Sequence, residues 1–301
     1  MRIFVAGGSG QVGLELKSQL CCLGEVFAPS RMELDLANAL DVKAWLDLFK
    51  PTLIVNAAAF TDVDGAEQTP DLARRLNESL PEQLATYAAQ RAIQLVHYST
   101  DYVYDGSGTE PRKEEAKTAP VNVYGLTKLA GDIAIQRSGC FYLIFRTSWV
   151  YSAHSNNFMN TMLRLGMHRK TLSVVDDQIG APTPARLIAL VTQLAISKGI
   201  ESGIYHLAPR GHTSWFGFAK TIFKHARNLD MPLTMDEEKI NAIPSSSYPT
   251  PASRPPNSRL SIAKIESAVG IRLPYWRPLL VNTLEERCRF LLCERNFRSN
   301  L

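Results

Sequence analysis

"RIFVAGGSGQVG", residues 2–13, is the stretch whose reading decides the fold. Ile3 to Ala6 are apolar, the make-up of a strand covered on both faces. Glycines at 7, 10 and 13 then permit a tight turn and let a diphosphate approach the backbone closely. The helix expected next offers free N–H groups and the positive end of its dipole to an anion. A glycine cluster alone fits an ordinary loop. Between a buried strand and a helix, it predicts a dinucleotide site on Gly7, Gly10 and Gly13.

Outward from this stretch, strand-like runs at 2–6, 26–28, 53–56, 94–98 and 142–146 alternate with helical patterns such as 42–49 and 81–90. Such alternation predicts an α/β fold, a Rossmann-type doubly wound parallel sheet covered by helices on both faces. Residues 1–150 read as the dinucleotide-binding domain, with segments near 172–180 and 203–225 returning to it. Residues 151–301 read mainly as a smaller, interleaved substrate-binding domain. It carries helical patterns at 158–169 and 184–198, a strand at 203–207 and a helix starting near Ser214.

Bulk properties exclude several function classes. A chain of 301 residues, 45% hydrophobic and 21% charged, buries a sizeable core. A net charge of +4 suits a small anionic ligand and is too weak for a nucleic-acid footprint. No apolar run approaches the ~20 residues of a membrane span, and the opening residues lack a signal peptide's architecture. The cysteines at 21, 22, 140, 288 and 293 follow no metal spacing, and their odd number suggests no disulfide framework. A cytoplasmic protein is expected, free of membrane and nucleic acid. Arg287, Arg289, Arg295 and Arg298 read as a solvated helix face.

Chemistry concentrates at strand ends. The second strand runs into Pro29-Ser30-Arg31, where an arginine, with no carboxylate closing the strand, can meet a 2′-phosphate. Asp35 and Leu36 follow as neighbours of an adenine. The alanines of "VNAAAFT" (55–61) let a flat cofactor lie near the backbone. "HYSTDYVYDG" (97–106) crowds hydroxyls at the end of a central strand, where open α/β sheets bind ligands. Tyr124 and Lys128 share one helical face by their spacing of four. An ammonium beside a phenol stabilises the phenolate and lowers its pKa. Thr100 can then hold a carbonyl that Tyr124 protonates, while a nicotinamide gives a hydride. His97 reads as a satisfied core histidine. Trp149, flat and apolar at a strand end, offers an apolar wall to a ligand. The proline-rich loop 243–260 is expected to cover the substrate, with the Arg254 fork on its diphosphate.

With these residues in view, the chain resembles the extended short-chain dehydrogenases/reductases, and within them the dTDP-4-dehydrorhamnose reductases. The resemblance rests on GGSGQVG (7–13), VNAAAFTDVDGAE (55–67), HYSTDYVYDG (97–106), NVYGLTKLAGD (122–132), FRTSWVY (145–151), NNFMNTML (156–163), DDQIGAPT (176–183) and YPTPASRPPNSRL (248–260). It implies NADPH- or NADH-dependent reduction of a dTDP-sugar at C4, giving dTDP-L-rhamnose for polysaccharide synthesis. It implies Thr100, Tyr124 and Lys128 as the catalytic trio. It places Gly10, Gln11, Val12, Asp35, Leu36, Ala59, Phe60, Thr61 and Tyr98 along the cofactor, and Thr100, Asp101 and Trp149 on the sugar nucleotide. Members of that family can form a homodimer linked by Mg2+ through glutamates. Glu15 fits one ligand and Glu286 another, but Arg186 stands where a third is sought. Elimination chemistry is poorly supported, because Tyr102 rather than a glutamate follows Asp101. A reductase of another 4-keto-6-deoxy sugar stays open. So does a non-catalytic regulatory subunit like the β subunit of methionine adenosyltransferase, against which the intact trio argues.

Overall fold

The computed structural model describes the backbone of residues 1–298 and the side chains of residues 1–290, so Cys293, Arg295 and Arg298 lie outside the described side chains. The first five strands are β1 (Arg2–Ala6), β2 (Glu25–Phe27), β3 (Leu53–Asn56), β4 (Gln94–Thr100) and β5 (Phe141–Thr147). Short strands β6 (Val150–Tyr151), β7 (Leu172–Val175), β8 (Ile179–Gly180) and β9 (Thr183–Pro184) follow, and β10 (Gly203–His206) rejoins the sheet. In space the six long partners run β10-β5-β4-β3-β1-β2, all parallel. The order turns back at β1, with β2 on one side and β3 on the other. The carboxyl ends at that reversal form the crevice such sheets offer a ligand.

The period-2 pleat explains why the strands read as unbroken apolar runs. Ile3, Val5, Val55, Val96 and Phe145 face one layer, made of α1 (Gln11–Leu20), α8 (Ala185–Lys198) and α10 (Ala263–Val269). Phe4, Ala6, Ile54, Leu95 and Ile144 face the other, made of α2 (Ala39–Phe49), α5 (Leu80–Arg91) and α6 (Val123–Arg137). Both layers are dry, and each such side chain contributes about 1.5–3 kcal/mol on burial. β4 runs two residues beyond its expected end. Ser99 and Thr100 still pair with Arg146 and Thr147 of β5, which satisfies their backbone although their side chains are polar.

A second lobe packs α7 (Phe158–His168), α9 (Trp215–Asn228) and α11 (Trp276–Arg298) around Met159, Phe218, Phe223, Trp276 and Leu280. Its strands are brief: β8 pairs with β11 (Thr213–Ser214), and β7 with β12 (Ile240–Ile243). Of the segments expected to return to the sheet, the one near 203 does so as β10. Segment 172–180 and most of 213–225 stay with this lobe, because Val174, Phe218 and Ile222 belong to its core. The segments that return to the sheet are α8, β10 and α10, whose apolar faces close the layer over α1. Arg287 is half-buried and Arg289 exposed, so the first two arginines of the C-terminal cluster do not form one solvated face. Among the described residues, no helix is long and apolar enough to cross a membrane.

Candidate active site

The glycine loop is built by close packing. Gly7 has φ +79°, and a side chain there would strike the backbone of Ala57 and Ala58. A Cβ on Gly13 would collide with the Gly7 carbonyl. The Gly10 N–H donates to Gly7 O at 3.0 Å, and α1 starts on Gly10 with no side-chain cap. The first amides of α1 therefore keep no side-chain acceptor there, as an anion cradle requires. Gln11 turns its side chain away: its Oε1 accepts from Ser152 and Asn157, at 3.1 and 2.9 Å. Val12 packs into the core beneath.

Ala59 and Phe60 line the same crevice, half-buried, with Thr61 exposed beside them. Phe60 is clamped at both backbone atoms by Asn77, at 2.8 and 3.1 Å. Leu36 is half-buried, and Asp35 is exposed with its carboxylate on Ala37 N–H. Arg31 is exposed. One expectation fails nearby: a carboxylate does sit at the end of β2. Glu33 folds back onto the Ser30 N–H at 2.7 Å, and hydrogen bonds from Ser30 hold it below the usual carboxylate range. The three-residue gap in sequence hid a contact that the turn creates. Tyr98 departs too. Its ring lies in the α1/α8 layer with its hydroxyl on Thr192 at 2.8 Å, leaving its carbonyl on the site side.

At the end of β4, Thr100, Asp101, Tyr102 and Tyr124 converge. The Thr100 hydroxyl donates to Asp101 Oδ1 at 3.1 Å and accepts from the Tyr102 N–H at 3.1 Å. Asp101 is 3% exposed, its Oδ2 has no partner, and burial raises its carboxyl to about 6 against the bond from Thr100. Tyr102 meets Tyr124 edge-on, with ring centroids 5.5 Å apart. Asn122 caps α6 through the Gly125 N–H, so the first turn that carries Tyr124 is fixed.

Lys128 lies one turn below Tyr124, fully buried, and its Nζ donates to the Tyr98 carbonyl at 2.6 Å. His97 Nε2 lies 3.1 Å from the same nitrogen. Burial lowers Lys128 to about 8 and raises Tyr124 to about 12. The expected lowering of the phenol is thus absent. Enclosure penalises the charged form of each group. Deeper still, Arg146 and Asp132 form an ion pair at 3.1 Å, with Ser99 on Asp132 and Tyr104 on Arg146.

The second lobe forms the opposite wall. Trp149 adopts φ +50° and stacks on Trp215 at 3.6 Å, against Gly180, where any side chain would strike its indole. The loop 243–260 is tied down: Ser258 N–H bonds Ile179 O, Arg112 N–H bonds Arg259 O, and Asn122 holds Ser253 O. Arg254 does not present a free fork. Both of its terminal nitrogens lie on the Asp64 carboxylate, at 2.8 and 3.2 Å. Glu15 and Glu286 are likewise engaged, by Arg186 at 3.3 and 2.8 Å. A guanidinium occupies the place sought for a third metal-binding carboxylate. Among the described residues no cluster of His, Cys, Asp or Glu could hold a metal.

Sequence reading missed Asn77 and Trp215, whereas Asn257 and Ser258 read with Arg254 as polar donors of the loop 243–260. Asn77 sits in a π-turn (Arg75–Ser79), fully buried, and joins the Phe60 backbone to Thr127 of α6. Pro70 and Pro81 flanking an asparagine-containing helical run were the available signal for a distorted helix.

Residues 1–288 match the family model described as the RmlD substrate binding domain. A dTDP-4-dehydrorhamnose reductase of Salmonella typhimurium is 45% identical over 92% of this chain and 94% of its own length. One from Burkholderia thailandensis is 41% identical over 92% of this chain and 96% of its own. Among solved structures, the Bacillus anthracis dTDP-4-dehydrorhamnose reductase in complex with NADP superposes with a TM-score of 0.87. It is 32% identical, over 95% of this chain and 99% of that one.

Proposed function

The chain belongs to the RmlD substrate-binding-domain family, and we propose that it reduces the C4 keto group of dTDP-4-dehydro-β-L-rhamnose with a nicotinamide cofactor, giving dTDP-L-rhamnose. The observation that carries the reading is the meeting of Thr100, Tyr124 and Lys128 at the carboxyl end of β4, beside a glycine cradle that a single Cβ would fill. That cradle fits a nucleotide diphosphate on the loop from Gly7 to Gly13, with Ala59, Phe60, Leu36 and Asp35 along the remainder. A bound NADPH or NADH supplies the hydride.

Everything else falls to the chain. The Tyr124 O–H gives its proton to the carbonyl oxygen as that oxygen gains charge, while the Thr100 hydroxyl holds the same oxygen. A phenol kept protonated by burial suits an acid that must stay loaded at neutral pH. Trp149 supplies an apolar wall for the 6-deoxy carbon. Asp101, with Ser258 beside it, meets sugar hydroxyls. Arg254 shapes the diphosphate pocket, and reaches the diphosphate itself only by loosening its grip on Asp64. Because Arg186 already bridges Glu15 and Glu286, activity is expected to be independent of magnesium, and chelation to leave it unchanged.

The test is NMR analysis of the product formed from dTDP-4-keto-6-deoxyglucose, the preceding epimerase and NADPH. The rhamno configuration at C4 is expected. A talo product would mean that the hydride reaches the opposite face of the same C4 carbonyl, and no turnover at all would favour a regulatory subunit of the same fold.

A further inference from the structure

Beneath the reacting groups lies a chain of polar side chains that acid–base chemistry at Tyr124 does not itself require. Asn56 at the end of β3, His97 on β4 and Lys128 on α6 are each at most 1% exposed. Ala58 N–H donates to Asn56 Oδ1 at 3.2 Å, which turns the Asn56 amide nitrogen toward His97 Nδ1 at 3.1 Å. An amide nitrogen can only donate. His97 Nδ1 must therefore carry the lone pair, and in a neutral imidazole the proton then sits on Nε2. That N–H points at Lys128 Nζ, 3.1 Å away, while Nζ itself donates to Tyr98 O.

Counting protons along the chain gives the consequence. Facing an ammonium, the Nε2–H would meet a second donor in a dry cavity. Facing an amine, it finds a lone pair. The surrounding charges agree. From α6 the pair is faced by Asp132, from β5 by Arg146, which already bonds that carboxylate, and from β3 by the uncharged Asn56. Asp132 is shared between two cations, so one buried positive charge is left over. Burial, aided by Lys128, also keeps His97 well below its ordinary pKa, so the imidazole does not take up that charge.

We propose that His97 is a positioning residue for the reduction, locked by Asn56 as the Nε2–H tautomer and donating to Lys128 so as to favour its neutral amine. The inference rests on the reductase reading above. As the substrate takes the hydride, the Tyr124 O–H bond breaks and the C4 O–H bond forms. The phenolate is recharged by a proton from the Lys128 ammonium, on the same helical face, whose N–H breaks as the phenol O–H re-forms and leaves the neutral amine that His97 favours. The resulting amine accepts from His97 until water returns the proton. His97 thereby makes Lys128 the better acid without itself changing charge.

Three measurements decide it. In the intact enzyme with 15N-labelled histidine, long-range proton–nitrogen correlation is expected to find His97 neutral and protonated on Nε2 from pH 6 to 8. This needs no substrate, so it stands apart from any failure of the substrate assignment. His97→Phe is expected to lower kcat by ~10²-fold, the scale of a misplaced reacting group. NADPH KM should stay within a few-fold, and the pH–rate limb near pH 8 should move upward. His97→Gln, whose amide can accept from Asn56 and donate to Lys128, is expected to recover most of the rate and restore the limb. An Nδ1–H tautomer or an imidazolium in that pH range overturns the proposal. So does a His97→Phe enzyme with wild-type kcat and profile, or a glutamine variant no better than phenylalanine. Should His97→Phe fail to fold, the tautomer and the glutamine variant still decide.

Discussion

Two sets of charged groups, one beneath the reacting side chains and one nearer the surface, are held in opposite ways. In the floor, His97, Lys128, Asp132 and Arg146 are at most 2% exposed, and neighbouring side chains or carbonyls meet most of their donors. On the rim, Arg254 pairs with Asp64, Arg186 with Glu15 and Glu286, and Arg31 faces solvent. A charge removed from water needs a partner for every donor, so the floor tolerates one arrangement and one set of protons. At the rim water completes whatever the protein leaves unmet, and exposed pairs typically contribute 0–1 kcal/mol. Stability and proton affinity are therefore set in the floor, and ligand affinity at the rim.

The comparison is sharpest at Tyr124, where the floor meets the crevice. Tyr124→Phe should lower kcat by at least ~10²-fold while cofactor affinity changes no more than a few-fold. Steady-state kinetics with NADPH check this, and near-normal turnover would remove Tyr124 from the mechanism. Within the floor, Arg146→Leu leaves Asp132 buried without its cation. A loss of about 3–5 kcal/mol in denaturant unfolding is expected, whereas Arg254→Leu at the rim, whose partner Asp64 keeps contact with water, should lose about 1 kcal/mol or less. Equal losses would erase the distinction.

Asp101 extends the argument to pH. Its folded pKa, about 6, lies above the ordinary 3.8, so the stability tied to its proton is fully present below pH 4 and is lost as pH rises through 6. Thermal melts should show Asp101→Asn removing part of the pH dependence between 4 and 6, and a parallel curve would mean that Asp101 is solvated. At the rim, Arg254→Ala should raise the KM for the sugar nucleotide more than ~10-fold, with NADPH KM and melting temperature little changed. An early melt would make the loop a structural strap. The smallest effect is expected at Arg31. NADPH should serve at least as well as NADH, and Arg31→Ala should shift the ratio of kcat/KM values by only a few-fold, because Glu33 lies in the same turn and opposes a 2′-phosphate. An NADH preference untouched by the mutation would make Arg31 a bystander.

How much was legible follows from how local each signal is. The glycine loop, the strand run at 53–56 and the Tyr124/Lys128 face depend on residues within a few positions of one another, and pleat or helix period alone places them. Glu33 and Tyr98 were misread by the same means. A three-residue turn brought a carboxylate to the strand end, and the pleat sent a site-like tyrosine into the core. Asn77 escaped because a π-turn breaks the 3.6-residue period that would have assigned its face. Which later segments return to the sheet was equally hidden, since α8 and α9 are both amphipathic and only the lobe that each covers tells them apart.

By itself, the sequence determined a parallel sheet fed by a phosphate-binding turn, because alternation, glycine and helix period act over short range. Tertiary structure alone decided which ionisable groups share a dry volume. Asn56, His97, Lys128, Asp132 and Arg146 come from β3, β4, α6 and β5, up to 90 positions apart in the chain as numbered from Asn56 to Arg146. Their protonation depends on distance and on the exclusion of water, and neither quantity exists until those elements have packed.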